Sequence, residues 1–397
     1  MSPFRVHFYS ILLFLPLVLC QVGPFFPIHP TGAASVQYAK TSPSQFVHPG
    51  ISHSKDDLER MKSNVANQVD PWYSAYQNFS QDEYSLSTYQ MQGPASVIVR
   101  GKVTNNTILI NDARAAYQNA IMWYITGNNA HANVSTTILN AWGTTLTEIG
   151  GLDASLSAGL EGMLLVNAAE IMKYEYGWIE EGASYVGTSG WSGTLYRVFA
   201  PPNVPGGQAN YGMVSIRALL AFSVYLDDVV MYNYALNQLQ NDYCQGISAL
   251  IQSGTGQSDE SGRDQGHSMN GLSWLFDAMN VVYHQGGSFF TYDNDLLLQG
   301  GEYTAKYNAY QNVTYDPSFF RCEAVLVNGP WQEISNISRG NPLPVFFKIK
   351  EWYNYYLGEQ TPWMTQLADN TTWLEGHTAS SDNFSWGQLL FALNPLK

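Results

Sequence analysis

The segment ESGRDQGHSMNGLSW, residues 260 to 274, gathers Glu260, Arg263, Asp264 and His267 within eight positions and then turns apolar. In a chain with only 13% charged residues, acid, guanidinium and imidazole so close together need a reason. One is capping: Asp264 or Ser268 could close the first turn of the following helix inside a salt-bridged loop. Capping uses one polar residue and leaves Arg263, Gln265 and His267 unexplained. A metal site built from Asp259, Glu260, Asp264 and His267 is a second reading. It lacks HxxxH or Cys/His spacing, and Arg263 in its midst opposes a cation, so no metal or other cofactor is expected. A third is glycoside hydrolysis, which would set Glu260 against Asp227 or Asp228 across roughly 5 to 10 Å. That chemistry has no use for the arginine and histidine.

Three other connector segments carry polar groups that packing does not readily explain. They are Arg100 in ASVIVRGK, Asn210 in GGQANYGMVSIRALL, and Tyr303 with Tyr307 in GGEYTAKYN, residues 300 to 308. Each has an ordinary reading. Asn210 suits an N-cap, Arg100 a surface ion pair, and the tyrosines, spaced i, i+4, the half-buried face of a helix.

Helical periodicity dominates the elements that must position these groups. Ser54 heads SKDDLERMKSNV, with acids in the first turn and Leu58, Met61 and Val65 on one face. Residues 111 to 149 read as a helical hairpin turned at TGNNA, with Ala116, Ala120, Trp123 and Tyr124 on one arm and Ile138, Leu139, Trp142, Leu146 and Ile149 on the other. Further helices are predicted over 158–176, 211–229, 231–252, 268–284 and 343–357. Period-2 alternation is scarce, which argues against a strand-built fold. The expectation is an all-α protein, an α/α toroid of helical hairpins in one large domain over residues 51–397, with connectors lining a cleft at one end.

The opening residues pair Arg5 with an apolar run from Ile11 to Leu19, which reads as a signal peptide over residues 1–20, followed by an extended Pro- and Ser-rich arm over 21–50. That run is short of the roughly 18 apolar residues a membrane span needs. Seven N-x-S/T sequons, at Asn78, Asn105, Asn133, Asn312, Asn336, Asn370 and Asn383, fit a secreted, extracellular glycoprotein. An oxidising compartment permits a disulfide between Cys244 and Cys322. The net charge of −14 argues against nucleic acid or an anionic membrane as partner. The 26 Tyr, 11 Trp and 18 Phe suit carbohydrate, whose C–H faces stack on aromatic rings. A monomer is expected.

In this order, HPGISHSKDDLERMK, VRGK with DARAAYQNAIMWYITGN and ILNAWGTTLTEI, GLEGMLLVNAAEIMKY, NYGMVSIRALLAFSVYLDD, ESGRDQGHSMNGL and GGEYTAKYN resemble the alginate lyase domain family of polysaccharide lyases. The resemblance covers residues 48 to 310 and implies a secreted, fungal-type member acting on an acidic polysaccharide. The implied reaction is β-elimination of a β-1,4-linked polyuronate, either alginate (polymannuronate) or glucuronan. Such a reaction must neutralise the uronate carboxylate, remove the C5 proton and protonate the departing O4. The resemblance assigns neutralisation to Asn210, Arg263 and His267, and acid–base work to Tyr303 or Tyr307. Arg100, Gln265, Lys306 and Arg339 would bind substrate, and Lys306 or a neighbouring arginine would lower a tyrosine pKa from about 10. The NHSYW-type Asn-His dipeptide of well-known alginate lyases is absent, because Tyr211 follows Asn210, and Tyr353 in the divergent tail is a further candidate base. The alternatives are a toroidal glycoside hydrolase and an inactive secreted carbohydrate-binding protein.

Overall fold

The computed structural model describes residues 36–102, 104–181, 190–320, 329–370, 382–384 and 386–395. Residues 1–20, expected to be a signal peptide, the first half of the expected N-terminal arm (21–35) and Cys322 lie outside the described residues. The helices are α1 (Lys55–Ala66), α2 (Trp72–Phe79), α3 (Thr107–Thr126), α4 (Asn129–Thr145), α5 (Ala154–Ile171), α6 (Trp191–Thr194), α7 (Ala209–Leu226), α8 (Val229–Asn241), α9 (Ile247–Leu250), α10 (Gln265–His284), α11 (Leu296–Asn308), α12 (Val345–Tyr356), α13 (Pro362–Asn370) and α14 (Gly387–Leu390). Two short strands, β1 (Val97–Val99) and β2 (Glu148–Gly150), pair in parallel.

Local chemistry sets the boundaries. Ser54 and Asp57 form a reciprocal capping box that starts α1, and Leu58, Met61 and Val65 bury its apolar stripe. The α3–α4 turn is made by Gly127, at φ +70°, and by Asn128, which caps α4 through Ala130 N. The helix expected over 231–252 is broken instead: the Asp242 carboxylate accepts from Cys244 N and Gln245 N, and this turn ends α8 before α9 begins.

Helices α3, α5, α7 and α10 pack side by side in chain order, with α1 beyond α3 and α12 beyond α10. Outside this ring, α4 packs on α3 and α8 on α7. This is the α/α toroid. Its inner helices are covered on both sides, so α5 is buried at every position from Leu156 to Ile171, and α7 nearly so. Close approach demands small residues, since a Cβ at Gly162 would lie 2.7 Å from the Phe222 ring. Helix α7 is long and apolar enough to cross a bilayer, but 89% of that stretch is buried inside the protein.

The toroid's centre is polar and is plugged by the chain's end. Asp277 of α10 accepts from Arg217 of α7 at 2.6 Å and Lys348 of α12 at 2.5 Å, tying three inner helices together. Phe384 packs on Tyr117 of α3, and Phe391 packs on His53 and Phe276. Among the sequons, Asn78, Asn105, Asn133, Asn312 and Asn336 are exposed. Asn383 is not: it is buried and donates to Asn270, which leaves no room for a glycan. The Asn370 side chain lies outside the described residues.

Asp112 of α3 holds the loop that enters β1. This buried carboxylate accepts from the Tyr89 hydroxyl, Gln92 N, Gly93 N and Trp142 Nε1, all within 2.8 to 2.9 Å. Asp112→Ala strands several buried donors at once and should cost about 3 kcal/mol or more in chemical denaturation. A loss below about 1 kcal/mol would contradict this reading of the loop.

Candidate active site

The N-termini of α5, α7 and α10 meet at one end of the ring, and the candidate residues gather there. Between α9 and α10 the chain curls through two tight turns, Ser261 N to Ser258 O and Arg263 N to Glu260 O, which send the Glu260 side chain inward to 2% exposure. Its Oε2 accepts from Asn210 Nδ2 at 2.6 Å and Asn210 N at 3.2 Å, and its Oε1 accepts from Arg263 Nη1 at 2.8 Å. Ala209, in the left-handed region at φ +50°, turns the chain so that Asn210 meets this carboxylate. Asn210 is therefore buried and positions Glu260. It is neither the N-cap nor the substrate-facing donor expected of it.

Arg263 reaches outward from Glu260. Its Nη2 donates to His267 Nε2 at 2.9 Å, and His267 Nδ1 donates to Asp264 Oδ2 at 2.6 Å. A guanidinium only donates, so His267 Nε2 carries the lone pair and Nδ1 the proton. Asp264 is also the N-cap of α10, accepting from His267 N at 2.8 Å. Burial pushes the Asp264 carboxyl up, but the two hydrogen bonds from His267 and the charge of Arg263 outweigh it and hold the group below its ordinary value. The capping reading of this segment is thus correct, and the capping carboxylate also orients the His267 ring. The His267 side chain is 36% exposed, making it the most open member of the cluster.

Arg100 joins from the residue after β1. Its N–H donates to Gly150 O at 3.1 Å, and Gly151, at φ +96°, must be glycine because a Cβ would fall 2.1 Å from Arg100 O. The guanidinium lies 3.5 Å from Asp382 Oδ1 and is partly exposed. Asp153, at the head of α5, donates its N–H to Arg100 O and accepts from the Tyr211 hydroxyl at 2.8 Å. Burial, then Asp153, push the Tyr211 phenol up to about 12, against the pull of Arg100 and Arg263 nearby. Tyr211 and Asp153 are the site groups that the sequence reading passed over. The available signal was the tyrosine directly after Asn210.

Other expected site residues lie elsewhere. Tyr303 is buried, donates to Thr314 O at 2.7 Å, and has its phenol pushed up by burial, the opposite of the lowering expected for a base. Tyr307 is 4% exposed, donates to Asn336 Oδ1 at 2.7 Å and lies under the Arg339 guanidinium, 3.8 Å from its ring centroid. Arg339 donates to Tyr307 O and Gln311 O and so caps the end of α11. Lys306 faces the Trp363 ring of α13. Gln265 is buried, its amide bonded to Ser261 O, Ser335 O and Asn308 Nδ2, and it braces the cluster against α11. Tyr353 is fully buried and donates to Phe290 O.

The hydrolase pair does not assemble. Asp227 and Asp228 follow the far end of α7, about 25 Å from Asn210 at 1.5 Å per residue, and Glu260 is bonded to Asn210. Two hydrolytic carboxylates stand roughly 5 to 10 Å apart. Among the described residues no three His, Cys, Asp or Glu side chains converge as metal ligands.

The architecture is that of the alginate lyases, an α/α toroid with its candidate site at one end of the ring. Alginate lyase A1-III from Sphingomonas species A1 superposes with a TM-score of 0.56 at 11% identity, over 93% of this chain and 100% of that one. A variant of the same enzyme complexed with tetrasaccharide gives 0.56 at 13% identity over the same shares. An alginate lyase from Bacteroides ovatus gives 0.52 at 11%, over 88% of this chain and 100% of that one. No family model matches the sequence, and no curated protein matches it either.

The cluster is built outward from Glu260, which orders its energetics. Glu260→Ala leaves Arg263 Nη1 and the buried Asn210 amide without an acceptor and should destabilise the fold by about 3 kcal/mol. His267→Ala, at the open edge, should cost less than about 1 kcal/mol. Denaturant titration of both variants checks the order, and the reverse ranking would refute it.

Proposed function

We propose that the protein is a secreted polysaccharide lyase that cleaves a β-1,4-linked polyuronate, polymannuronate-type alginate or glucuronan, by β-elimination. The observation that carries this reading is the outward-facing Arg263–His267 pair, seated on buried Glu260 and on the N-cap Asp264, with Arg100 beside it. Loss of the C5 proton drives negative charge onto the adjacent carboxylate. A guanidinium donor beside the positive end of α10 is what that charge requires, while His267, its proton held on Nδ1 by Asp264, offers an acceptor at Nε2. A uronate carboxylate entering the cleft competes for Arg263 and draws it from His267, so substrate binding itself frees the imidazole lone pair. A tyrosine completes the acid–base work. With a net charge of −14, long-range attraction for a polyanion is adverse, and affinity rests on local contacts with Arg100 and Arg263.

Export of a monomer through the N-terminal signal, a Cys244–Cys322 disulfide and glycans on exposed sequons belong to the same reading. Glycopeptide mass spectrometry of the secreted protein should find Asn383 unoccupied, and a glycan there would contradict the buried placement.

The test is a panel of alginate, polymannuronate, polyguluronate, glucuronan and a neutral glucan, followed by ultraviolet absorbance of the unsaturated product, with and without EDTA. Expected is absorbance on a β-linked uronate, insensitive to EDTA, and a loss of roughly 10²- to 10³-fold in kcat/KM for Arg263→Ala or His267→Ala. New reducing ends without absorbance would establish hydrolysis instead. Binding with no product on any uronate would establish an inactive carbohydrate-binding protein.

A further inference from the structure

We propose that His48 is a proton-operated latch: as an imidazolium it clamps residues 36–52 across the end of the ring opposite the candidate site, and loss of that proton releases the segment. The inference concerns a different part of the molecule and is independent of the lyase reading.

The segment crosses the C-terminal ends of the inner helices. Gln37 N and Lys40 N donate to Gln240 and Asn233 of α8, and Val47 N donates to Gln285, the C-cap of α10. Gly50 N and Ser52 N donate to Glu170 and Asn167 of α5. These acceptors are side chains, so the segment is held by separate bonds, with His48 in their midst.

Both His48 ring nitrogens face carboxylates. Nδ1 lies 2.7 Å from Glu170 Oε1 and Nε2 lies 3.0 Å from Asp227 Oδ1. A neutral imidazole donates from one nitrogen only, so filling both contacts from the ring takes a second proton. Glu170 stands in the last turn of α5 and Asp227 is the C-cap of α7, which sets the ring at the negative ends of two helices. Tyr174 stacks on the ring, with centroids 4.0 Å apart, and fixes its plane between the two carboxylates. Lys173 and Glu180 face the same cluster, through Glu170 and Tyr174 respectively.

Burial alone would pull the imidazole down; the bonds and charges of Glu170 and Asp227 outweigh it and push it up. Burial pushes Glu170 up as well, against the pull of His48, Lys173 and Gly50 N. A histidine raised in the closed state holds the segment most tightly below its open-state value of about 6.5, and the hold is lost as pH rises through the closed-state value. Between those limits the open fraction grows by up to about tenfold per pH unit. Neighbouring groups do not imitate this. Lys40 is pulled down by burial, which acts with the opposite sign. His53, pulled down to about 4 by burial, is neutral in that range. His284 of α10 meets the segment further along, with Nδ1 2.8 Å from Ile51 O and Nε2 3.1 Å from Asp57 Oδ2.

The experiment is amide hydrogen exchange of the full chain from about pH 5.5 to 9, corrected for the intrinsic rate, in wild type, His48→Gln and Asp227→Asn. Wild-type protection at Gln37, Lys40, Val47, Gly50 and Ser52 should be full at the acid end, fall above about pH 6.5 by up to about tenfold per unit and then level, while the α5 amides stay protected. His48→Gln should show the low level throughout that range. Asp227→Asn removes a charge from a side chain that is 42% exposed, so the fold is retained and the fall should begin at lower pH. Wild-type protection that does not change with pH overturns the latch, as does an unshifted fall in Asp227→Asn. A fall that persists in His48→Gln assigns the response to another group, His284 first, and overturns it too. Should His48→Gln fail to fold, the wild-type and Asp227→Asn profiles decide alone.

Discussion

Everything at the open end of the toroid hangs on one buried carboxylate. Glu260 is 2% exposed, and taking its charge out of water costs several kcal/mol unless donors replace the lost hydration. Three do: the backbone and side-chain N–H groups of Asn210 and the Arg263 guanidinium. The same bonds tie the N-terminus of α7 to the loop before α10 and fix one end of Arg263, leaving its other nitrogen to meet His267. Arg263 thus becomes a rigid donor aimed outward, as preorganised charge stabilisation requires.

The ring supplies the frame for this arrangement. Because α5, α7 and α10 are packed on both sides, their N-termini are held together at the candidate site, adding positive dipole ends to Arg100 and Arg263. The central Asp277 with Arg217 and Lys348 keeps the inner helices from sliding, and the C-terminal segment fills the axis below. Asp382 of that segment pairs with Arg100 and so ties it to the candidate site.

The sequence exposed the helices and the Arg–Asp–His cluster because both are local. The Ser54 capping box, the α3–α4 turn and the spacing from Asp264 to His267 are all short-range patterns with one physical reading each. The orientation of α11 is not local. Tyr303 and Tyr307 share a face, but only the contacts with Thr314 and Asn336 decide that this face turns away from the Arg263 cluster. Gln265 failed for a similar reason, since one residue's step around a helix separates a bracing amide from an exposed one. Tyr211 was hidden because it reads as the first member of an apolar helix, and its partner Asp153 lies 58 residues away in sequence.

The central claim is that the uronate carboxylate displaces His267 from Arg263. A crystal structure of the protein with a bound oligouronate tests it most directly. The account predicts carboxylate oxygens within hydrogen-bond distance of the Arg263 guanidinium, and His267 Nε2 released and facing C5. A carboxylate bound elsewhere in the cleft, with Arg263 still donating to His267, would contradict it.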